Sequence, residues 1–431
     1  MVATRLKRFA RLDALLVTAG IWFLGKFVRY AFPPLFETLG RTYGVSRTAL
    51  GAAFTGFMLV YAVAQFPSGL LADRFGAVPV IVGGGLVTAA GALALVIDSP
   101  FAVLAAVMLL MGGGTGVYKT VSIGLLSRVY PTRTGRALGV YDTFGSLAGV
   151  AAPAVVVAVA GLPGVVGAPW RTLFLGAGLA GLALAGAFGW RVPRRLRDAR
   201  GGPGGTANAT GDGVPTDGNG ETDDTVAVEQ TDGLRTYLRL FAAWRFSAFV
   251  VVTILFSFAY NGVVAFLPLY LTTEAGLSSG TANLLFGALF VVSLVQLVTG
   301  EASDRVGLLP VLLATLGLAT AALAATLALS SGGVVVLGAA VVALGLGSHG
   351  YRPVRGAYLV EILPESVAGG GLGAVRTLLM AAGAVGPAVV GYLSETVSFR
   401  AAFGLLLASL AGATGLTLVL WVFDRTSPTA E

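Results

Sequence analysis

One eight-residue phrase occurs twice in this chain, and no other feature constrains the possible folds as strongly. It reads Gly-Leu-Leu-Ala-Asp-Arg-Phe-Gly at residues 69–76 and Gly-Glu-Ala-Ser-Asp-Arg-Val-Gly at residues 300–307, which is 231 positions later. Each copy lies in a short charged gap between two long apolar runs, and each is followed at the same spacing by a proline, Pro79 or Pro310. The chain is therefore predicted to contain two related halves in a membrane.

The composition supports a membrane environment. Hydrophobic residues make up 56% of the 431 residues and charged residues only 11%, which is too apolar for a water-soluble domain. About 20 apolar residues are needed for a helix to cross about 30 Å of hydrocarbon, and period-two alternation, which would indicate a β-barrel, is not seen. We predict an all-α membrane protein with twelve transmembrane helices in two pseudo-twofold-related six-helix bundles, at residues 13–36, 48–71, 78–97, 101–127, 136–160, 170–190, 244–271, 280–300, 308–329, 333–360, 368–394 and 399–422.

Several alternatives are disfavoured by what the chain contains. The first apolar run is too long for a signal peptide and carries Lys26 and Arg29, so it is interpreted as a retained helix. The chain has no cysteine, which removes disulfides and thiolate metal sites. The glycine-rich stretch 112–116 lies inside an apolar run without a preceding strand, so helix packing explains it better than a nucleotide loop. Neither an enzyme, nor a metal site, nor a cofactor is predicted.

Basic residues predict the orientation of the chain. They concentrate before the first run, between the fourth and fifth, and after the sixth, which all lie on one side if the helices alternate: Arg5, Lys7, Arg8, Arg11, Arg128, Arg133, Arg136, Arg191, Arg194, Arg195, Arg197 and Arg200. The positive-inside bias makes this side cytoplasmic and places both termini there, in a multi-pass protein of the cell membrane. The net charge of +7 is then explained by lipid contact and topology, so the bilayer is an expected partner and nucleic acid is not. A monomer is expected.

A polar segment divides the chain. Residues 192–242 begin with basic residues and continue into a stretch rich in glycine, threonine and aspartate, too poor in apolar groups to fold alone. We predict an N-terminal six-helix bundle at residues 1–191, a disordered cytoplasmic linker at 192–242, and a C-terminal six-helix bundle at 243–431.

The internal repeat extends beyond the doubled phrase. Other positions correspond at offsets of 233 or 234, in pairs that include Tyr118 and Tyr351, Lys119 and Arg352, Asp142 and Arg376, Thr143 and Thr377, and Pro153 and Pro387. Nearly constant offsets indicate a duplication that produced two parallel bundles.

The doubled phrase resembles the signature of the major facilitator superfamily, Gly-x-Leu-x-Asp-Arg-x-Gly followed by basic residues, between helices 2 and 3 and again between helices 8 and 9. The first copy matches it at Gly69, Leu71, Asp73, Arg74 and Gly76, whereas Val78 and Pro79 stand where the family has arginine or lysine. Twelve helices, a long central loop and the repeat extend the resemblance over essentially the whole chain.

The resemblance implies a transporter whose doubled phrase acts as a cytoplasmic latch. Asp73 and Arg74, with Asp304 and Arg305 in the second copy, are the implied gating residues. In such transporters the aspartate faces the start of helix 11 and basic residues at the end of helix 4, which by position are the segment from Gly371 and either Arg128 or Arg136. A simpler interpretation of one copy alone is a tight turn in which the glycines allow a positive φ.

Charges inside the apolar runs are the candidate binding residues, because a charge at bilayer depth costs at least about 2.5–3.5 kcal/mol unless it has a partner, water or a ligand. Six cations face only Asp142 and Glu361 as acids: Lys26, Arg29, Lys119, Arg352, Arg355 and Arg376. We predict that Lys26, Arg29, Lys119, Arg352 and Arg376 bind an anionic small molecule, with Tyr260 and Asn261 as hydrogen-bonding groups. Local pairing is the alternative for Lys26 and Arg355.

Asp142 and His349 are the candidate coupling residues. A carboxyl group in apolar surroundings is suited to proton coupling, whereas a single helical histidine is more often a packing residue. A salt bridge between Asp142 and Arg376 is an alternative, in which the pair is a gating element across the pseudo-twofold axis.

The sequence predicts a secondary active transporter of a small organic anion, working by alternating access and coupled to protons or sodium. A basic helix 1 and helix 4 are similar to those of the anion:cation symporter branch of the superfamily. A drug or cation exporter is the alternative, but it would need an acidic residue in the part of helix 1 that holds Lys26 and Arg29. A channel or a non-transporting sensor is disfavoured, since no filter-like loop or folded cytoplasmic domain is recognised.

Overall fold

Twelve long helices form the part of the protein that the structure describes. The computed structural model describes residues 13–130, 133–200, 241–363 and 368–426, without the side chains of 195–200 and 368–374. Within these ranges all twelve helices are long and apolar enough to span a membrane, which confirms the predicted fold class. They are α1 Asp13–Tyr43, α2 Arg47–Phe75, α3 Ala77–Ala94, α4 Phe101–Val129, α5 Thr134–Ala160, α6 Pro169–Arg200, α7 Trp244–Thr273, α8 Ser279–Val306, α9 Leu308–Ala328, α10 Gly333–Ile362, α11 Ala368–Thr396 and α12 Phe399–Thr426. Most of the predicted linker lies outside the described residues.

The two copies of the doubled phrase form the same corner. Gly76 ends α2 and begins α3 with φ 88° and ψ 156°, and Gly307 ends α8 and begins α9 with φ 94° and ψ 158°. The amide of each glycine donates to the carbonyl four residues earlier, at 2.9 Å and 3.0 Å. A side chain is strained at this φ, so the glycines are required by the backbone. The structure therefore contains the predicted tight turn in both copies of the doubled phrase.

Three helices depart most from the sequence prediction, and one of them is α6, which ends at Arg200 and not at residue 190. The first apolar run was expected to end at residue 36, but α1 continues to Tyr43 with Pro33 and Pro34 inside it. Leu35, Phe36 and Leu39 are nearly inaccessible, so packing of this last part offsets the hydrogen bonds that the prolines remove. Helix α8 is interrupted by a 3₁₀ turn at Val292–Leu294, although this segment contains neither glycine nor proline.

The halves meet on one side of the molecule. We call the side where α1 begins and α12 ends the termini side, and the opposite one the distal side. Helix α2 packs on α11, and α5 packs on α8. A Cβ at Gly51 would overlap the carbonyl oxygen of Pro387, and one at Gly391 would come within 2.6 Å of the carbonyl oxygen of Arg47. Glycine therefore allows α2 and α11 to approach each other closely.

Polar contacts close the distal side. The Thr48 amide and hydroxyl donate to Glu395, Arg47 donates to the Ser394 carbonyl at 3.2 Å, and Ser279 donates to Glu37 at 2.7 Å. Throughout the described ranges, the hydrogen bonds between the first six helices and the last six lie here or near the centre. The structure is thus closed at the distal side.

Candidate functional site

The predicted cations come together at the centre of the molecule. Lys26 of α1 lies within electrostatic range of Arg29, Lys119 and Arg352, and of the carboxylate of Asp142. Two further guanidinium groups belong to the same cluster, because Arg355 lies within electrostatic range of Arg352 and Arg376. We call these six cations and Asp142 the central cluster.

The Trp22 ring contacts the members of the central cluster that α1 and α4 contribute. The ammonium groups of Lys26 and Lys119 lie 4.9 Å and 5.6 Å from the Trp22 ring centre. Tyr141 stacks on the same indole, with ring centres 5.3 Å apart. Cation–π attraction favours both ammonium groups in this place. The sequence analysis did not select Trp22, although its position one turn before Lys26 on α1 was a usable signal.

Asp142 pairs with a lysine. Its Oδ1 lies 3.3 Å from Lys119 Nζ, so Lys119, which the sequence left without a partner, has a counter-ion. The alternative salt bridge between Asp142 and Arg376 is not the pairing that the structure shows, because Arg376 hydrogen-bonds to Gln65 instead. The cause is topological: α5 packs on α1 and α8, whereas α11 packs on α2 and α7.

Arg29 contacts the opposite half of the protein. It donates to Asn261 Oδ1 of α7 at 2.9 Å, and the Asn261 amide donates to the Ser257 carbonyl at the same distance. Arg29 and Asn261 are 232 positions apart, so they occupy nearly equivalent places in the repeat. The contact therefore lies where the two halves face each other.

Arg376 makes a second contact of this kind. It donates to Gln65 Oε1 of α2 at 3.3 Å, and Gln65 Nε2 lies 3.1 Å from Met380 Sδ. Gln65 was missed by the sequence analysis, because candidate residues were selected by their charge and glutamine is uncharged. It is the residue that fixes the position of Arg376.

Aromatic rings surround the groups on α10. Arg352 lies over the ring of Tyr260, 4.5 Å from its centre, and Arg355 lies 5.8 Å from the ring centre of Tyr351. His349 is 2% exposed, and its ring centre lies 6.2 Å from that of Tyr260 and 5.8 Å from that of Phe290. This environment suits the packing interpretation of His349.

The latch residues of the doubled phrase are exposed on the termini side. Asp73, Arg74, Asp304 and Arg305 are all accessible, as are Arg128 and Arg136. Arg305 pairs with Glu301 of its own helix. The side chains at the start of α11, which the resemblance names as the partner of Asp73, lie outside the described residues, so the latch stays a prediction.

The central cluster carries unbalanced positive charge. Of its six cations, Lys119 has the Asp142 carboxylate, whereas the other five contact neutral amides or aromatic rings within the part of the chain that the structure describes. Hydrogen bonds and ring faces stabilise these groups but leave their charge in place. The arrangement can bind an anion through guanidinium forks and an ammonium group. Over the described ranges, no group of three or more His, Asp or Glu side chains could hold a metal ion.

Several known proteins are similar to this chain in sequence or in fold. It is 28% identical over 187 residues to a multidrug resistance protein B homolog of Mycobacterium tuberculosis, an alignment that covers 42% of this chain and 30% of that relative's length. A bacterial homolog of the human lysosomal transporter Spinster shares the fold with a TM-score of 0.71 and 17% identity, over 97% of this chain and 99% of that one. A D-xylose–proton symporter shares the fold with a TM-score of 0.70 and 14% identity, over 96% of this chain and 97% of that one.

The decisive comparison is with a family model. The model of the Major Facilitator Superfamily matches residues 18–295 and 249–431, which together span nearly all of the described helices. It thus covers both copies of the doubled phrase and every member of the central cluster. The chain belongs to the major facilitator superfamily.

Proposed function

We propose that this transporter carries a small organic anion across the cell membrane, with protons or sodium as the coupling ion. The observation that carries the proposal is the central cluster, in which five of the six cations contact only neutral groups among the residues that the structure describes. Because each charge at bilayer depth is costly, a set of unbalanced cations is best explained by a ligand that supplies the missing negative charge. The four arginines of this cluster favour a carboxylate or a similar planar oxyanion.

The closed distal side supports access to the central cluster from the termini side. With the termini side cytoplasmic, as the basic residues predict, the closed distal side is extracellular and the protein faces inward. Transport then requires a second conformation in which the distal contacts separate.

Asp142 is the proposed coupling residue. It is the one carboxylate of the central cluster, and its side chain is 58% exposed, so water can reach it. Protonation of Asp142 would remove the counter-ion of Lys119 and add a free cation to the anion site. Proton uptake and anion binding would thereby favour each other. Sodium at the same carboxylate is the alternative coupling ion.

Drug or cation export is the second candidate function. The similarity to a multidrug resistance protein B homolog favours it, as do the aromatic rings of Trp22, Tyr141 and Tyr260 within the site. The excess of positive charge argues against a cationic drug, because like charges in a low-dielectric site repel.

Uptake into proteoliposomes tests the proposal. Radiolabelled acetate, succinate, benzoate and tetraphenylphosphonium are offered with and without an inward pH gradient. We expect uptake of at least one anion, and a loss of about tenfold or more, equal to 1.4 kcal/mol, in Arg29→Ala and Arg352→Ala. Arg425→Ala is the matched control, because Arg425 lies over Trp421 near the end of α12 and outside the central cluster. Uptake of the cation alone, unaffected by Arg29→Ala, would reject anion transport.

A further inference from the structure

Two neutral amides hold two of the central guanidinium groups. Asn261 of α7 accepts from Arg29 of α1 at 2.9 Å, and Gln65 of α2 accepts from Arg376 of α11 at 3.3 Å. In both pairs the amide and the arginine come from opposite halves of the protein. An amide oxygen accepts a hydrogen bond as a carboxylate does, but it leaves the positive charge uncompensated.

The orientation of each amide is set by its other end. The Asn261 Nδ2 group donates to the Ser257 carbonyl at 2.9 Å, and the Gln65 Nε2 group lies 3.1 Å from the Met380 sulfur. The oxygen atoms therefore face the guanidinium groups. A Cβ at residue 383 would lie 2.5 Å from Asn261 Nδ2, so Gly383 provides the room that this amide needs.

The two guanidinium groups face a common region beside α2. Arg29 lies 5.6 Å from the ring centre of Tyr61, and the same tyrosine lies within electrostatic range of Arg376. Tyr61 precedes Gln65 by one helical turn. An anion beside Tyr61 would thus be within reach of charges from both halves.

We propose that Gln65 and Asn261 determine the charge selectivity of the site, an inference that rests on the proposed anion transport. They position Arg376 and Arg29 without neutralising them, so that both charges remain available to the substrate. A carboxylate in either place would be a permanent counter-ion at hydrogen-bond distance, and it would compete with the substrate anion. Selectivity for anions would then depend on the neutral residues as much as on the arginines.

Two kinds of substitution separate this role from simple positioning. Asn261→Asp and Gln65→Glu keep the size and the acceptor oxygen but add a negative charge. Asn261→Ala and Gln65→Ala remove the acceptor but leave the charge balance unchanged. If charge selectivity is the role, the acidic variants bind anions less well than the alanine variants; if only positioning matters, the order is reversed.

The experiment measures binding to the purified full-length chain. Thermal unfolding is followed during titration with sodium acetate, succinate or benzoate at constant ionic strength, and with tetraphenylphosphonium chloride. We expect the apparent affinity for the anion that stabilises the wild type to fall about tenfold or more in Asn261→Asp and Gln65→Glu, and less than about threefold in the alanine variants. Gln296→Glu is the matched control, since Gln296 is the repeat counterpart of Gln65 and donates to Ser293 of its own helix at 2.9 Å.

The possible results are distinct. If the wild type is stabilised by an anion and the acidic variants bind it as well as the alanine variants, or better, charge selectivity by the amides is wrong while anion transport stands. If tetraphenylphosphonium stabilises the wild type and no anion does, anion transport is wrong, and the inference fails with it.

Discussion

Glu395 joins the two halves at the distal side, and removing its charge should shift the conformational equilibrium. Its carboxylate accepts from the backbone amide of Thr48 at 3.2 Å and from the Thr48 hydroxyl. Thr48 is the second residue of α2, so Glu395 of α11 acts as a capping group for a helix of the opposite half. The positive end of the α2 dipole favours a negative charge there.

The expected magnitude follows from the exposure of the contact. A hydrogen bond to a charged group contributes about 1.5–3 kcal/mol when buried, and a charge at a helix N-terminus contributes about 0.3–1 kcal/mol. Glu395 is exposed, so screening by water and salt reduces the sum to about 1 kcal/mol. Glu395→Gln keeps an acceptor oxygen and loses the charge, so the open population should rise about fivefold at most.

Pulsed EPR between two spin labels can measure this shift. The chain has no cysteine, so introduced cysteines are labelled without background. Val165 and Val335 are suitable positions, because both lie on the distal side, one in each half, and are 76% and 84% exposed. The population at long distances should increase in Glu395→Gln, and distal opening should become easier.

A matched control separates this effect from a general loss of charge. Glu301→Gln also removes a carboxylate that is paired with an exposed cation, Arg305, but on the termini side. Its distance distribution on the distal side should equal that of the wild type. If Glu395→Gln leaves the distribution unchanged, or if Glu301→Gln changes it equally, the distal capping contact does not influence the equilibrium.

Two further predictions concern the corner glycine and the coupling residue. Gly307→Ala should lower the free energy of unfolding by about 1–3 kcal/mol, because only glycine is unstrained at φ 94°. Gly300→Ala, in a helical position with no atom near its Cβ, should not lower it in the same denaturation assay. Asp142→Asn should abolish stimulation of uptake by a pH gradient but retain anion exchange between the two sides of a proteoliposome, since Lys119 then stays unpaired. Continued stimulation by the gradient in Asp142→Asn would show that another group carries the proton.

The sequence predicted the features that depend on local chemistry or on strong energetic penalties. The corner at Gly76 and Gly307 follows from a residue type that alone tolerates positive φ, and it occurs in both copies. The central position of Lys119 and Arg352 follows from the cost of placing charge in lipid, which restricts such residues to the interior. These arguments use the sequence of a single helix or turn and do not require knowledge of which helices pack together.

Contacts between helices could not be predicted in the same way. The repeat alignment suggested Arg376 as a partner for Asp142, but the packing of the helices decides the pairing, and an alignment does not reveal which helices are neighbours. Gln65 carries no charge, so its role appears only when Arg376 is located beside it. The interruption of α8 at Val292–Leu294 likewise has no local breaker, and tertiary packing is the remaining cause.

The choice of acceptor differs between the two places where the halves are joined. On the distal side Glu395 and Glu37 accept hydrogen bonds as carboxylates, and water screens their charge, so the contacts stay weak enough to break. At the centre the acceptors from the opposite half are Gln65 and Asn261, where screening is weaker and a carboxylate would bind its arginine too strongly. A transporter must separate both sets of contacts in each cycle. Neutral acceptors at the centre allow this, and under the proposed anion transport they leave the arginine charges available to the substrate.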